Sequence, residues 1–294
     1  MLISTKDLSK TFENYQALKP TTWQLKKSQV WALLGPNGAG KTTFIRLLAS
    51  LLPPSTGSIS YVGNQKIPNN FIGYLPEERG LYKKMTVTEQ LYFWLNLRGF
   101  SKNEIKNISA FWINKLFLNE VADKDVQLLS KGNQQKVQLA LTLIHNPEVI
   151  ILDEPFTGFD PINASLLEQI IQEQQELGKG LIISTHRMEQ AEQLCSHAML
   201  LNKGELLLQG KMDEIKNQYS NHQQFKVKGS GELKSNKCFQ FISKTKNENL
   251  IELNTGFLFM DLVQELQNQS FEIEGINKNI CSLNDLFKQL ITKK

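Results

Sequence analysis

The sequence predicts an α/β fold carrying a small α+β appendage, on three observations. Strand-sized apolar runs (VWALL, VIIL, LIIST) alternate with helical patterns across much of the first 215 residues. Alternation of that kind builds a sheet with helices on its faces. One run, Val30 to Leu34, passes straight into a glycine-rich loop and then a helix pattern. Finally, 40% of the 294 residues are hydrophobic and 21% charged. That balance suits a packed core and excludes disorder as the main state, or a collagen-like or coiled-coil fibre.

The elements follow in order. The segments LISTKDL and TTWQLKKSQVWALLG alternate polar and apolar residues and read as antiparallel strands, except that Val30 to Leu34 is apolar throughout, as in a buried central strand. After GPNGAGKTT a helix pattern extends to about Leu52, with Phe44, Ile45, Leu48, Leu51 and Leu52 on one face, and Pro53 and Pro54 stop it. STGSISYVGNQK has strand character. Residues 86–145 read as an all-helical insert, with capping boxes at Thr86/Glu89 and Ser101/Glu104. EVIILDE is a strand. A helix over 162–177 has Pro161 in its first turn and Gly178 beyond its end. LIIST is a strand, RMEQAEQLC a helix and HAMLLNKGELLLQG a strand pair. The character changes near residue 222, which places a domain of 1–221 ahead of a 222–294 appendage. There FKVKG, CFQFIS and NLIELN are short strands, and MDLVQELQN and LNDLFKQL are helices.

Charge and cysteine content narrow the function. The 33 basic and 29 acidic residues leave +4, and four of the basic residues are Arg. So slight an excess, mostly solvated Lys, argues for no nucleic-acid partner. Cys195, Cys238 and Cys281 lie far apart without a CxxC pair and read as free thiols of a reducing compartment. No apolar stretch reaches the roughly 18 residues that cross a bilayer, and the N-terminus lacks a signal peptide's apolar block. The expectation is a cytoplasmic chain that meets a membrane only through a partner.

GPNGAGKT fits the pattern G-x-x-x-x-G-K-[ST] with Gly35, Gly40, Lys41 and Thr42. Glycines let the backbone bend so that N–H groups face phosphate oxygens, and the following helix turns its positive end to the same anion. Lys41 is placed to neutralise β- and γ-phosphates, and the Thr42 hydroxyl can ligate Mg²⁺. A chance match in such a chain is on the order of 1%. Nucleotide binding follows from this loop alone. Val149 to Leu152 is an apolar strand that ends in Asp153 and Glu154. Beside a phosphate loop, such an Asp holds Mg²⁺, and Glu154 stands where an attacking water needs a proton acceptor.

Together these residues resemble the nucleotide-binding subunit of an ABC transporter over about residues 1–215. The diagnostic segment is Leu129-Ser130-Lys131-Gly132-Asn133, similar to the family's LSGGQ-type motif and placed between the helical insert and VIILDE. The resemblance implies a P-loop NTPase core with a mixed sheet and flanking helices, an antiparallel β subdomain and an all-helical subdomain. It implies an ATPase in which two copies, identical or not, close on two Mg-ATP. Gly35, Asn37, Gly38, Gly40, Lys41, Thr42 and Thr43 would hold ATP on one chain, and Ser130 and Gly132 would reach it from the other. Tyr15 resembles the aromatic on which adenine stacks. His186 resembles the switch histidine that contacts the γ-phosphate and would share catalysis with Glu154. Thr42 and Asp153 would hold the metal, and Asp160, in the segment GFDP, would couple the two sites.

Two positions depart from the family pattern. Glu77 stands where the family has Gln; it can meet Mg²⁺ through oxygen but cannot donate a hydrogen bond. Lys131 replaces the first Gly of the LSGGQ-type motif. LPEERGLY, LSKGNQQK and the C-terminal appendage are similar to bacterial export-type subunits, which include sodium- and drug-efflux systems. The resemblance thus implies an integral-membrane partner chain and a peripheral location on the inner face of the membrane. A soluble relative acting on ribosomes or DNA would carry two nucleotide domains or a coiled-coil insert, and a non-catalytic regulator would not need Glu154 and His186. Residues 222–294, with 10 Lys against 8 Asp and Glu, hold no catalytic constellation and read as structural.

Overall fold

The computed structural model describes residues 1–78, 80–220, 223–245 and 248–292. Packing divides the chain into two compact units, Met1–Met212 and Asp213–Lys294. The expected boundary at residues 221 and 222, and Arg79 of LPEERGLY, lie outside the described residues.

The first unit holds two sheets. Strands β1 (Ile3–Phe12), β2 (Tyr15–Leu25) and β4 (Thr56–Tyr61) form an antiparallel sheet in the order β2-β1-β4. The second sheet contains β3 (Val30–Leu34), β5 (Ile72–Leu75), β6 (Val149–Asp153), β7 (Gly180–Ser184), β8 (His197–Asn202) and β9 (Glu205–Lys211), in the order β5-β6-β7-β3-β8-β9. Its first five members run parallel and β9 returns antiparallel to β8. Because the parallel strands are covered on both faces, β3, β6 and β7 are buried at every residue. Trp23 and Phe44 meet edge to face with ring centroids 5.5 Å apart, which joins the antiparallel sheet to the first helix inside one hydrophobic core.

Helix α1 (Lys41–Leu48) is shorter than its sequence pattern suggests. Ser50 turns left-handed (φ 56°), and the N–H groups of Leu51 and Leu52 fold back to the Arg46 carbonyl. This closure ends the helix before Pro53 is reached and leaves Leu51 exposed. The insert is helical as expected: α2 (Val87–Leu97), α3 (Lys102–Lys115) and α4 (Lys131–Leu143). Both capping boxes form, Thr86 with Glu89 and Ser101 with Glu104. α5 (Pro161–Glu176) starts on Pro161 and ends before Gly178 (φ 83°). α6 (Met188–Leu194) precedes β8.

The second unit carries α7 (Met212–Tyr219), whose first residue still belongs to the first unit, and a four-stranded antiparallel sheet. Its strands are β10 (Gln224–Ser230), β11 (Phe239–Lys244), β12 (Asn249–Leu253) and β13 (Glu272–Lys278), in the order β11-β12-β10-β13. Helices α8 (Phe259–Asn268) and α9 (Leu283–Thr292) complete it. Phe225, Phe239, Ile251, Leu262 and Leu266 form its core. Sequence periodicity passes over α7 and β13: the first is short and polar, and glycine at 275 breaks the alternation of the second. All three cysteines are free thiols, and among the described residues no helix is long and apolar enough to cross a membrane.

Candidate functional site

The strand order sets the site. β6, β7 and β3 lie side by side and parallel. Their carboxyl ends therefore release three chain segments at one edge: the loop after Leu34, Asp153-Glu154, and Thr185-His186. Crevices at the carboxyl ends of parallel strands are where such sheets bind ligands.

The loop backbone admits glycine at two points for distinct reasons. A Cβ on Gly35 (φ +148°) would sit 2.3 Å from the Leu201 carbonyl oxygen. One on Gly40 (φ +102°) would sit 2.6 Å from the Ala17 carbonyl oxygen. Gly40 is the N-cap of α1, with no side-chain cap and no acid in the first turn. The leading N–H groups of α1 are thus left for an anion. Asn37 and Gly38 form the exposed rim, and Thr42 and Thr43 open the helix, half-buried.

Lys41 is 8% exposed, and its Nζ donates to the carbonyls of Gly35 (2.7 Å) and Pro36 (3.2 Å). Burial pulls its pKa down; the carboxylates of Glu154, Asp153 and Glu77 pull it back up. All three acids therefore act on the same ammonium. Asp153 is 2% exposed. One of its oxygens lies 3.4 Å from the Thr42 hydroxyl and the other accepts from the Ser184 hydroxyl. Next to it, Glu154 adopts the left-handed region (φ 49°), which costs a non-glycine residue on the order of 1 kcal/mol. The conformation is held because the Glu154 N–H donates to Ser184 Oγ at 2.9 Å. The Glu154 carboxylate meets His186: Oε2 and Nδ1 are 2.9 Å apart, with the imidazole 66% exposed and the carboxylate 14%.

Glu77 follows β5, which pairs with β6 in register Leu75↔Leu152. It is exposed, in a bend whose backbone is pinned by the buried Gln138 of α4: Nε2 donates to the carbonyls of Pro76 (2.9 Å) and Glu78 (3.3 Å). Tyr74 and Arg46 hydrogen-bond beside it; burial, then the Asp153 charge, raises the Tyr74 phenol. Tyr15 stands 58% exposed at the start of β2, two residues before the Ala17 carbonyl that abuts Gly40. An exposed ring beside the loop suits base stacking.

The remaining sequence-selected residues gather on other neighbours. Ser130 is the N-cap of α4, its Oγ accepting from Asn133 N at 3.2 Å. A Cβ on Gly132 would lie 3.3 Å from Asn163 Nδ2. That amide donates to Asp160 Oδ2 at 2.9 Å, and Asp160 Oδ1 caps α5 through Asn163 N at 2.8 Å. Gly132 thus lies against α5, and Ser130 is exposed.

The geometry adds Ser184, Gln138 and Asn163 to the residues the motifs supply. Only Ser184 has a signal in sequence, a hydroxyl closing the apolar strand GLIIS; the other two act through contacts between distant elements.

Among the described residues no three His, Cys, Asp or Glu side chains could hold a metal by themselves. A hydroxyl and a single buried carboxylate do suit Mg²⁺, which takes one or two protein oxygens and completes its shell with phosphate and water.

A glycine loop between strand and helix, with an Asp-Glu pair ending a strand two places away in the same parallel sheet, defines a P-loop nucleotide-binding protein. The comparisons with known proteins make this specific. Residues 18–157 match the ABC transporter family. YhaQ of Bacillus subtilis (strain 168), an uncharacterized ABC transporter ATP-binding protein, is 42% identical over 221 residues, 74% of each chain. The linearmycin resistance ATP-binding protein LnrL of the same organism is 30% identical over 220 residues, 73% of this chain and 70% of that one. A solved ATP-binding subunit of an ABC transporter superposes with a TM-score of 0.70 at 30% identity, covering 74% of this chain and 93% of that chain. The chain belongs to the ABC transporter family, among its ATP-binding subunits.

Proposed function

We propose that this chain hydrolyses ATP and, paired with a second nucleotide-binding subunit, energises export by a separate membrane subunit. The observation that carries hydrolysis is the 2.9 Å contact between Glu154 and His186, directly after the Asp153–Thr42 pair. In this reading the N–H groups of the loop and Lys41 bind the triphosphate, and Tyr15 stacks on the base. Thr42 and Asp153, with Glu77 close by, would hold Mg²⁺, which would supply charge neutralisation at the phosphates. Glu154 accepts the proton of the attacking water, and His186 orients that carboxylate and donates toward the γ-phosphate. Positioning and charge carry most of the rate effect in phosphoryl transfer.

Pairing is supported by the separation of the two clusters. Ser130 and Gly132 begin a helix whose leading N–H groups suit an anion, and among the described residues their neighbours are Asn133 and Asn163 rather than the phosphate loop. A second copy placed face to face would let them cap the γ-phosphate, with Asp160 linking the two sites through Asn163. Loss of the γ-phosphate removes those shared contacts and opens the pair, because a ligand shifts a conformation only by binding its two states differently.

Docking to a membrane subunit is supported by a groove of about 790 Å³ on the helical insert, lined by Met85, Tyr92, Phe93 and Ile105. Tyr92 and Phe93 are exposed, and such apolar concavities mark interaction sites. It would place the chain on the cytoplasmic face of a membrane. Export is supported by the LPEERGLY and LSKGNQQK segments and by the linearmycin-resistance name of a relative. The test is Glu154→Gln: ATP should still bind and trap a dimer while turnover stops. Turnover at the parental rate would reject Glu154 as the base. Recovery of the chain with ribosomes rather than with a membrane protein would reject the transport reading.

A further inference from the structure

Three carboxylates (Asp153, Glu154 and Glu77) act on Lys41, and a bound triphosphate adds further negative charge. Two of the described cations nearby are already committed. Lys41 is held by two loop carbonyls, and Arg46 is hydrogen-bonded to Tyr74. Glu77 is the exposed member of the three, and among the described residues no ion pair reaches it. On the other face, Lys131 is exposed at the first position of α4, between Ser130 and Gly132, and no ion pair reaches it among the described residues. The next lysine of α4, Lys136, is buried and faces Asp160 instead. Among the described residues neither this acid nor this base is in an ion pair, and the two flank the half-sites that the paired reading brings together.

We propose that Lys131 of one copy forms an ion pair with Glu77 of the partner subunit in the closed dimer, twice by symmetry. The inference rests on the face-to-face reading above. It assigns one role to both residues: the acid beside the γ-phosphate gains an ion-pair partner when the opposing α4 arrives. Closure is then favoured by charge as well as by nucleotide, and the bend at residues 76–78, pinned by Gln138, feels whether the partner is present. Opposite charges matched across an interface also select against wrong partners.

The experiment measures Mg-ATP-dependent dimerisation by sedimentation in the Glu154→Gln background, using two differently tagged chains. Glu77→Lys alone would set Lys against Lys, and Lys131→Glu alone would set Glu against Glu, so each homodimer should weaken by at least about tenfold. Mixed together, the two variants present opposite charges at both contacts. The heterodimer should recover to within about threefold of the parent and lose that advantage in high salt. A mixture as weak as either variant alone overturns the ion pair. A parent that stays monomeric with Mg-ATP overturns the face-to-face reading itself, and the ion pair with it.

Discussion

His186 Nδ1 lies 2.9 Å from Glu154 Oε2, although the two residues leave different strands of the sheet. The contact depends on Ser184, which closes β7 two residues before His186. It donates its hydroxyl proton to Asp153 and accepts the N–H of Glu154. A single hydroxyl thus fixes the carboxylate proposed to hold the metal and the backbone of the proposed base at the same time.

Replacing Glu154 with Gln should lower ATP turnover by at least about a hundredfold, the scale of general-base catalysis. ATP affinity should stay within a few-fold of the parent, because loop and helix N–H groups carry binding. Steady-state ATPase rates together with a fluorescent-nucleotide titration check both halves.

Ser184→Ala should weaken Mg²⁺ dependence more than ATP binding. Loss of a partner that orients a metal-holding carboxylate typically costs ten- to a hundredfold in metal affinity or activity. A Mg²⁺ titration of the ATPase reads this effect. An unchanged midpoint would show that Asp153 holds its position without the hydroxyl.

Gly40→Ala should destabilise the first unit and abolish nucleotide binding together. Its φ of +102° and the 2.6 Å approach to the Ala17 carbonyl leave no room for a Cβ, at a cost of about 1–3 kcal/mol. Thermal unfolding with and without ATP should show a lower midpoint and no ligand-induced rise.

His145 predicts an acid-sensitive fold. Burial first, then the Arg98 charge, lowers its pKa from 6.5 to about 4, against a hydrogen bond to the Ile72 carbonyl that raises it. Below pH 6.5 the unfolded chain takes up a proton that the folded chain refuses. The stability present above pH 6.5 is therefore lost as pH falls toward 4, by about 3 kcal/mol in all. Urea unfolding between pH 7 and 4 should show this slope, and His145→Gln should flatten it.

What sequence made legible was local. The glycine loop, both capping boxes, Pro161 at the start of α5 and the acids closing VIILD each state a requirement that their own few residues meet. A left-handed N-cap needs glycine, and an N-cap hydroxyl accepts the N–H three residues on while the Glu there accepts the cap's own N–H. The same local reading carried α1 too far, because its end is set by Ser50 turning left-handed rather than by the prolines. In the appendage it missed α7 and β13, whose patterns are too polar or too interrupted to stand out.

The α/β class, the phosphate cradle and the family were thus legible in the sequence alone: the first in alternating strand and helix patterns, the second in local backbone requirements, the third in the resemblance of its motifs. Tertiary structure alone decided that Thr42 meets Asp153, that Ser184 braces both acids, that Gln138 pins the bend holding Glu77, and that Gly132 rests against Asn163 while its own cradle lies elsewhere. These contacts join residues as many as 111 positions apart, and strand order brings them together, which no single segment encodes.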